Sequence, residues 1–524
     1  MPTPTKGVTL RADVVAARLG LGAFNAVDRA ALEALSKGES VWVSDPDSAR
    51  ARARFFVAAA SNKRPALLIA PSPATLAREQ ALLQRAEVPV ALLSLVGDRV
   101  APAELAKLAK PGPLVILAAS DALSAPDVER ALQQANIQRV AVDSAHLLSA
   151  QGHELRPSFA AVRGLLARIG KPALHLLSSC ARGELRRSIG QQFGIPAGAQ
   201  VEVPLLAEGV ALDALPVRAE RRNGALLGAL RELAGPGVVL CATPHDTDAA
   251  FAAVDAAGIP AFRVHAGMPK PDREAALSRF AASANGVLLT TSAHAPDSGL
   301  PHLGERPEDE PKIGFGQSAP RADLRFVVHH QAPASLEQYA CEVTWVGRDG
   351  QGGVALMLFD SAQLSLNDAI LEQQRLREKQ VLALLRALET FQRNGQVPQA
   401  KPLTVEWLAL NSGLSRRTSE RLVLLLADSG VLRRTPEGVR TVADGKVLSQ
   451  AAEALARDLE RLREGDRARL AAVERLADSS ECRRRVFLRY FAGESGAPCG
   501  ICSTCQRGKP RGRVAAEQVA PGLR

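Results

Sequence analysis

Short apolar runs alternate with helix-like stretches along residues 20–200. The runs that predict strands are Val41–Ser44, Ala66–Ile69, Leu114–Ala118, Val140–Val142 and Leu174–Leu177. Segments with apolar residues at helical spacing, such as Thr75–Ala86 and Ala103–Leu108, lie between these strands. Alternation of strands and helices is typical of a doubly wound parallel sheet, so we expect residues 21–200 to form one α/β lobe.

The same rhythm restarts at Gly237 and continues to Phe359, after a linker-like stretch around Gly198–Pro216. The strands predicted in this second unit are Val238–Cys241, Gly286–Thr290, Arg325–His329 and Val354–Leu358. Two consecutive α/β units predict two similar lobes that face one another, the second spanning residues 216–362. Residues 295–313 are rich in Pro, Gly and acidic residues without apolar periodicity, which predicts an exposed insertion.

The chain becomes helical after residue 362. Residues 363–400 predict a helical connector, in which Leu371–Phe391 carries apolar residues at heptad-like spacing. A compact segment follows at 401–445, and a helical, cysteine-containing module at 446–512. Residues 513–524 predict a basic, disordered tail.

The compact segment has the element order of a winged helix. A short helix should end in a turn at Gly413, and a second helix should begin after Ser415, a residue suited to N-capping. A hairpin with its turn at Pro436–Gly438 completes the order. Arg416 and Arg417 lie at the N-terminal end of the second helix, where a winged helix contacts DNA. A segment used only for packing or protein contact is the alternative.

Length and charge narrow the class of protein. A chain of 524 residues suits several domains, and no apolar run is long enough to predict a membrane span. The N-terminus lacks the apolar core of a secretory signal, so we expect a cytoplasmic protein, associated with the nucleoid if the cell is bacterial. The net charge is +10, and residues 461–513 carry thirteen Lys/Arg against six Asp/Glu. This excess favours binding to DNA phosphates, or an arginine-rich solvated surface.

Four of the seven cysteines are clustered near the C-terminus. They are Cys482, Cys499, Cys502 and Cys505, with the spacing C-x16-C-x2-C-x2-C. Four thiolates can complete a tetrahedral structural zinc site, and no coordination position would be left open for catalysis. The alternative is four unrelated thiols. The other cysteines, Cys180, Cys241 and Cys341, stand in apolar contexts and are predicted to be buried.

Two stretches resemble the RecQ family of DNA helicases. AVDSAHLLSAQGHELRPSF at 141–159 is similar to the family's DEAHCISQWGHDFRPEY, and ECRRRVFLRYF…PCGICSTC at 481–505 is similar to its zinc subdomain. VHAGM at 264–268 and RFVVHHQAPASLEQYACEVTWVGRDG at 325–350 add to the resemblance. It implies two RecA-like lobes, a zinc module, and an ATP- and Mg²⁺-dependent 3′–5′ DNA helicase. The winged-helix segment departs from the family, since it precedes the zinc ligands instead of following them.

The family's phosphate-binding loop, PTGGGKS, is degenerate in this chain. The aligned residues are Pro46, Asp47, Ser48, Ala49, Arg50, Ala51 and Arg52. Hydrolysis needs glycine amides around the phosphates, a Lys on them, and a Ser/Thr on Mg²⁺. All these groups are replaced, and no GK[ST] occurs elsewhere in the chain. In the box that resembles DEAH, Asp143 and His146 survive, but Ser144 replaces the Glu that polarises water.

The second lobe departs from the family in the same direction. Residues 315–320, FGQSAP, align with FGMGID and place Pro320 at the Asp. Trp345 replaces the first of two arginines that resemblance places on the γ-phosphate, and only Arg348 is retained. The adenine-recognising Gln aligns near Asp28, and Gln151 replaces the family's DNA-coupling Trp.

The resemblance predicts which relics still contact DNA. His153 and Arg156 are candidate DNA contacts, with a structural role in their loop as the alternative. Asp143, His146 and Arg348 are expected to be relics, so replacing Asp143 or Arg348 should leave DNA binding nearly unchanged. ATP and Mg²⁺ are expected from the family but not expected to bind here.

The sequence therefore predicts a RecQ-like protein that binds DNA, or assembles proteins on it, without ATPase or unwinding activity. One alternative is an active 3′–5′ helicase, which nucleotide-dependent unwinding would reveal. Another is a winged-helix transcription regulator, which would prefer one duplex sequence instead of junctions or single-stranded overhangs.

Overall fold

The computed structural model describes residues 11–21, 24, 26–71, 73–96, 99–149, 157–265, 267–291, 321, 323–393, 403–435, 438–493 and 496–507. Several predicted features lie outside these residues. They are His153, Arg156 and Gln151, the insertion at 295–313, the segment 315–320, and the tail at 513–524.

The first lobe is a seven-stranded parallel sheet flanked by helices. Its strands and an added small hairpin are β1 (Val41–Ser44), β2 (Ala66–Ala70), β3 (Val90–Leu93), β4 (Leu95–Val96), β5 (Arg99–Val100), β6 (Val115–Ala119), β7 (Arg139–Val142), β8 (Ala173–Ser178) and β9 (Gln200–Glu202). The strand order is β3-β6-β2-β7-β8-β1-β9, and β4 pairs with β5 in a separate two-stranded hairpin. Successive residues of β2 enter different cores, Leu67 one and Leu68 the other, because both faces of the sheet are covered.

The second lobe is a six-stranded parallel sheet. Its strands are β10 (Val210–Pro216), β11 (Gly237–Cys241), β12 (Ala261–Val264), β13 (Val287–Thr291), β14 (Phe326–His329) and β15 (Gly353–Phe359). Their order is β10-β15-β14-β11-β13-β12. The expected pair of α/β lobes is confirmed, but the linker-like stretch is different. It contains β9, which pairs with β1 in the first sheet, and β10, which pairs with β15 in the second.

The helices follow the expected alternation. In the first lobe they are α1 (Ala12–Arg18), α2 (Ala26–Lys37), α3 (Ser48–Ala60), α4 (Pro73–Arg85), α5 (Pro102–Leu108), α6 (Pro126–Gln134), α7 (Ala160–Arg168) and α8 (Gly183–Gln192). In the second lobe they are α9 (Arg222–Glu232), α10 (Pro244–Ala256), α11 (Lys270–Ala282) and α12 (Leu336–Val343). The remainder are α13 (Ser361–Gln374), α14 (Glu378–Arg393), α15 (Val405–Ser412), α16 (Arg416–Asp428), α17 (Gly445–Ala477), α18 (Arg483–Ala492) and α19 (Ser503–Gln506).

In the described residues, the predicted helical connector contains two helices. Helix α13 ends at Gln374 and α14 begins at Glu378. Arg375 lies in the break and forms a bidentate ion pair with Asp466 of α17, at 2.6 and 2.7 Å. Both side chains are buried, so the break fixes the connector against α17.

The segment after the connector has the predicted order of helix, turn, helix and hairpin. Gly413 ends α15 with φ of +68°, which glycine adopts without strain. The Ser415 hydroxyl accepts a hydrogen bond from the Thr418 amide and caps α16. Strands β16 (Leu432–Thr435) and β17 (Gly438–Thr441) form an antiparallel hairpin.

Helix α17 joins this segment to the second lobe. Leu448 and Leu459 in its first half pack with α15, α16 and the hairpin. Leu470 and Val473 in its second half pack into the core of the second lobe. The predicted boundary at 445/446 therefore marks the start of a helix shared by two packing units.

Candidate functional site

The loop between β1 and α3 occupies the position of the degenerate phosphate-binding loop. It is only three residues long, Asp45–Asp47. The Asp47 carboxylate accepts a hydrogen bond from the Arg50 amide (3.1 Å), and the Asp45 carboxylate accepts one from the Asp47 amide (2.8 Å). Amides at a helix N-terminus can bind an anion when they are available. Here two of them are used by carboxylates, which would also repel a phosphate.

Arg52 fills the inner part of this site. Its guanidinium is fully buried and lies 2.9 Å from Glu79 of α4 and 2.9 Å from Asp143 after β7. Burial alone would lower the pKa of Arg52, but the two carboxylates outweigh burial and raise it. Asp143 is the retained acid of the segment that resembles the DEAH box. In this chain a cationic side chain neutralises it.

A second buried network connects α2, α3 and β1. Arg50 forms a bidentate pair with Asp28, with distances of 3.0 and 2.5 Å. Arg54 bridges the same Asp28 (2.7 Å) and Asp45 (2.5 Å). Burial raises the pKa of Asp45, and Arg54 opposes that rise. Asp28, predicted near the adenine-recognising position, therefore holds two arginines.

The surviving DEAH-like residues form a tight turn after β7. Ser144 has φ of +56° and ψ of +47°, a left-handed conformation that is uncommon for a residue with a side chain. Its amide donates to the Asp143 carboxylate at 2.9 Å. His146 follows in a short 3-10 helix and is buried. The residue at the position of the catalytic Glu is therefore a buried Ser.

Arg348 of the second lobe reaches the same loop of the first lobe. Its Nη1 lies 3.3 Å from Asp47, and its Nη2 donates to the Pro46 carbonyl at 3.4 Å. The Arg348 Nε donates to the Thr344 carbonyl at 3.0 Å, which fixes the side chain from its own lobe. Trp345 packs into the core of the second lobe and is 4% exposed. The cleft is thus bridged by protein groups.

The candidate DNA contacts in the described part of the chain are Arg416 and Arg417. Both are exposed at the start of α16, and Arg416 pairs with the exposed Glu406 at 3.1 Å. The same helix lies against α7 and the 3-10 turn Pro157–Phe159 of the first lobe. This contact favours a packing role for part of α16, whereas its arginine-bearing end is open to solvent.

The four clustered cysteines converge as predicted. The Sγ atoms of Cys482, Cys499, Cys502 and Cys505 all lie within 4.8 Å of one another. The Cys499–Cys505 and Cys482–Cys502 pairs are each 4.0 Å apart, close to the ~3.8 Å expected for sulfurs about 2.3 Å from one zinc ion. The Cys499 amide donates to Cys482 Sγ at 3.3 Å, and the Cys502 amide to Cys499 Sγ at 3.4 Å. These donors stabilise thiolates, so the donor set fits zinc.

Acid and arginine side chains dock the cysteine module onto the second lobe. Asp213 of β10 accepts a hydrogen bond from the Ser503 amide at 2.8 Å. Arg483 donates to the Ser503 hydroxyl at 3.0 Å and lies 3.6 Å from Asp213. Arg484 donates to the carbonyls of Leu206 and Ala207. Part of the C-terminal positive charge is therefore used inside the protein and is not free for phosphates.

Sequence reasoning missed the acids that hold the arginines of α3. Arg50, Arg52 and Arg54 alternate in a helix that is otherwise apolar, SARARARFFVAAA. Arginines two residues apart in such a helix cannot all face solvent, so the pattern itself signals buried ion pairs. Their partners Glu79 and Asp45 belong to no motif.

The chain thus combines two parallel-sheet lobes with a C-terminal module of four cysteines. The family described as RecQ zinc-binding matches residues 444–506. The ATP-dependent DNA helicase RecQ of Bacillus subtilis is 26% identical over 253 residues, covering 48% of this chain and 39% of that protein. The probable ATP-dependent DNA helicase RecS of the same organism is 23% identical over 274 residues, covering 51% and 50%. The chain is thus similar to RecQ-type DNA helicases over about half of its length, and its residues 444–506 match the RecQ zinc-binding family.

The relatives extend beyond the part that this chain matches. The mouse bifunctional 3′-5′ exonuclease/ATP-dependent helicase WRN is 23% identical over 246 residues, covering 45% of this chain and 16% of that protein. The chain spans half or less of the length of these three relatives. Among solved structures, Saccharomyces cerevisiae Dbp5 bound to RNA and ADP BeF3 has 16% identity and a TM-score of 0.47, covering 70% of this chain and 91% of that one. In the described residues, no helix has the length and apolar character to cross a bilayer.

Proposed function

We propose that this chain is a DNA-binding or DNA-scaffolding RecQ-family protein that has lost ATPase and unwinding activity. The observation that carries the proposal is the Arg52 guanidinium, buried 2.9 Å from both Glu79 and Asp143. A side chain that neutralises these acids takes the place of the metal and phosphate charges of a working motor.

The surrounding loop supports the loss of nucleotide binding. Phosphoryl transfer depends on backbone amides, a Lys, a Ser/Thr and Mg²⁺ placed around the phosphates. The loop in this chain has three residues, and Asp45 and Asp47 accept its amide hydrogens. Removal of one charge-stabilising group commonly costs about 10²- to 10³-fold in rate, and several are replaced here.

Lobe closure in this chain needs no nucleotide. In a working motor the second-lobe arginines meet the γ-phosphate, which couples closure to ATP. Arg348 instead meets Asp47 and the Pro46 carbonyl. We therefore propose a cleft held closed by protein contacts, in which Arg348 keeps a structural role.

DNA is the proposed partner, in the cytoplasm or on the nucleoid. The relatives are named DNA helicases, and the chain has a net charge of +10 with exposed Arg416 and Arg417. Zinc held by the four cysteines would supply no reaction step, because four sulfurs close its coordination shell. The zinc ion would stabilise the folded C-terminal module, and the four cysteines would hold the ion.

Calorimetric titration of the full-length protein with Mg·ATP, with and without forked DNA, tests the proposal. We expect no saturable nucleotide binding and the same DNA affinity, within about twofold, whether or not nucleotide is present. ATP hydrolysis should match that of Asp143→Asn prepared in parallel, because any residual signal would come from contaminants.

An active helicase predicts the opposite results. DNA-stimulated hydrolysis that disappears in Asp143→Asn would show a working motor with an unfamiliar arrangement. Selection of one preferred sequence from random duplexes, with no preference for forks or overhangs, would favour a transcription regulator.

A further inference from the structure

Two buried thiols from different lobes face each other. Cys180 follows β8 of the first lobe, and Cys341 lies on α12 of the second. Their Sγ atoms are 3.0 Å apart, although the residues are 161 positions apart in the chain. Both residues are buried, with 4% and 9% exposure. The sulfurs therefore need to approach by only about 1 Å to reach the ~2.05 Å of a disulfide bond.

Contacts on both sides hold this thiol pair at the lobe junction. The Ser179 hydroxyl lies 3.7 Å from each sulfur. Cys180 Sγ also donates to the Glu337 carbonyl of α12 at 3.5 Å. Arg182, on the same first-lobe loop, forms an ion pair with the Glu337 carboxylate at 3.3 Å. The Arg182–Glu337 ion pair thus fixes the loop to α12 independently of the thiols.

We propose that Cys180 and Cys341 form a redox-controlled disulfide that ties the two lobes together. A peroxide is the oxidant: one thiolate attacks a peroxide oxygen, breaking the O–O bond and giving a sulfenic acid and hydroxide or water. The second thiol attacks that sulfur, the S–S bond forms, and the sulfenic oxygen leaves as water. Two thiols and one hydrogen peroxide thus give one disulfide and two water molecules.

The bond would lock the lobes in the closed arrangement. In a nucleotide-driven motor such a bond would block opening, but here closure already rests on protein contacts such as Arg348 with Asp47. A cross-link over 161 positions also restricts the unfolded chain strongly. Reduction by cellular thiols would reverse it. The proposal concerns lobe opening and holds whether or not the chain hydrolyses nucleotide.

Peptide mapping of the full-length, zinc-loaded protein tests the proposal. Reduced protein is treated with increasing hydrogen peroxide, remaining thiols are alkylated, and digests are analysed by mass spectrometry without reductant. We expect a linked peptide pair containing Cys180 and Cys341, lighter than the reduced pair by two hydrogen atoms. A chromogenic chelator follows zinc release in the same samples, which separates this reaction from oxidation of the zinc cysteines.

Three variants sharpen the test. Cys180→Ser and Cys341→Ser should each abolish the linked peptide, whereas Cys241→Ala, at a buried cysteine in the second-lobe core, should retain it. Oxidised wild-type protein should melt several degrees higher than reduced protein, and the shift should vanish in the two serine variants. Consumption of both thiols without a linked peptide would overturn the proposal, as would linkage that appears only after zinc has left. If a serine variant does not fold, the comparison of oxidised with reduced wild-type protein is sufficient to test the proposal.

Discussion

Nη1 of Arg348 in the second lobe lies 3.3 Å from a carboxylate oxygen of Asp47 in the first lobe. Sequence resemblance places Arg348 on a γ-phosphate and Asp47 in the loop that would hold that phosphate. The two residues instead form an ion pair with each other. The charge that would couple the lobes to a nucleotide is therefore satisfied within the protein.

Replacing Arg348 by Ala should have a small effect. The pair is partly exposed to solvent, with side-chain exposures of 18% and 38%, so we expect a loss of less than about 1 kcal/mol in the free energy of unfolding. DNA affinity should change less than about twofold, measured by fluorescence anisotropy. A large drop in DNA affinity would show that Arg348 acts on DNA or on the lobe arrangement that binds it.

Replacing Arg52 by Ala should be far more damaging. It leaves Glu79 and Asp143 buried without their shared cation, which typically costs about 3 to 5 kcal/mol. Urea denaturation measures the loss. Arg50→Ala is the matched control, since Arg50 is partly exposed and Asp28 keeps Arg54. Equal effects of the two variants would contradict the view of Arg52 as the central cation.

The same contacts revise one expectation for Asp143. From the sequence, Asp143 and Arg348 are both dispensable relics. In the structure Asp143 is a buried partner of Arg52, so Asp143→Ala should destabilise the fold even without a motor. A residue without a catalytic role can still contribute to the stability of the fold.

Sequence patterns predicted the elements that depend on local information. Strand β1 was predicted because its first three residues, VWV, are a continuous apolar run, and the cysteine cluster because three ligands lie within seven residues. Strand β10 was missed because its sequence, VALDALP, contains Asp213 and ends in a proline. Asp213 is buried in that strand because the Ser503 amide, 290 positions away, donates to it.

Long-range pairings were the part that the sequence could not supply. Glu79 belongs to no motif, and nothing near it indicates that it meets Arg52. The apolar sequence around Cys180 and Cys341 predicts that both thiols are buried, and both are buried in the structure. Their contact across the lobes depends on how two sheets pack, which no local pattern encodes.

His175 should make the first lobe sensitive to acid. Burial, and then the charge of Arg139, lowers the pKa of His175 from 6.5 to about 3. The folded protein thus holds His175 neutral, while the unfolded chain binds a proton below about pH 6.5. Stability from this group is complete above that pH and falls by about 1.4 kcal/mol per pH unit as the pH drops towards 3.

Urea denaturation between pH 4 and 7 measures this slope. His175→Leu should flatten it, because the replacement has no group to protonate. His245→Gln is the control at an exposed histidine and should leave the slope unchanged. An unchanged slope in His175→Leu would show that other groups cause the acid sensitivity.

Zinc removal should unfold the C-terminal module and weaken its contact with the second lobe. Protein purified without added metal should contain one zinc ion per chain, measured by inductively coupled plasma mass spectrometry. Cys502→Ala should lose it, because Cys502 is a buried member of the cluster, whereas Cys241→Ala should keep it. Ser503 then no longer presents its amide to Asp213, so proteolysis should cut first within 482–507. Full zinc content in Cys502→Ala would exclude this ligand set.

DNA binding should depend on the exposed end of α16. From the sequence, a fragment of residues 363–524 should retain most of the affinity, but α17 and α18 pack into the second-lobe core. That fragment would expose apolar surface, so the full chain is the better test.

We expect Arg416→Glu with Arg417→Glu to weaken DNA binding about tenfold or more, and to reduce the steepness of its salt dependence. Arg85→Glu with Arg130→Glu makes the same charge change at exposed sites of the first lobe and should matter far less. Titrations of forked, single-stranded and duplex DNA at several salt concentrations measure both effects. Equal losses in the two double variants would mean that net charge alone governs affinity, and no loss in the α16 variant would assign this helix to packing against the first lobe.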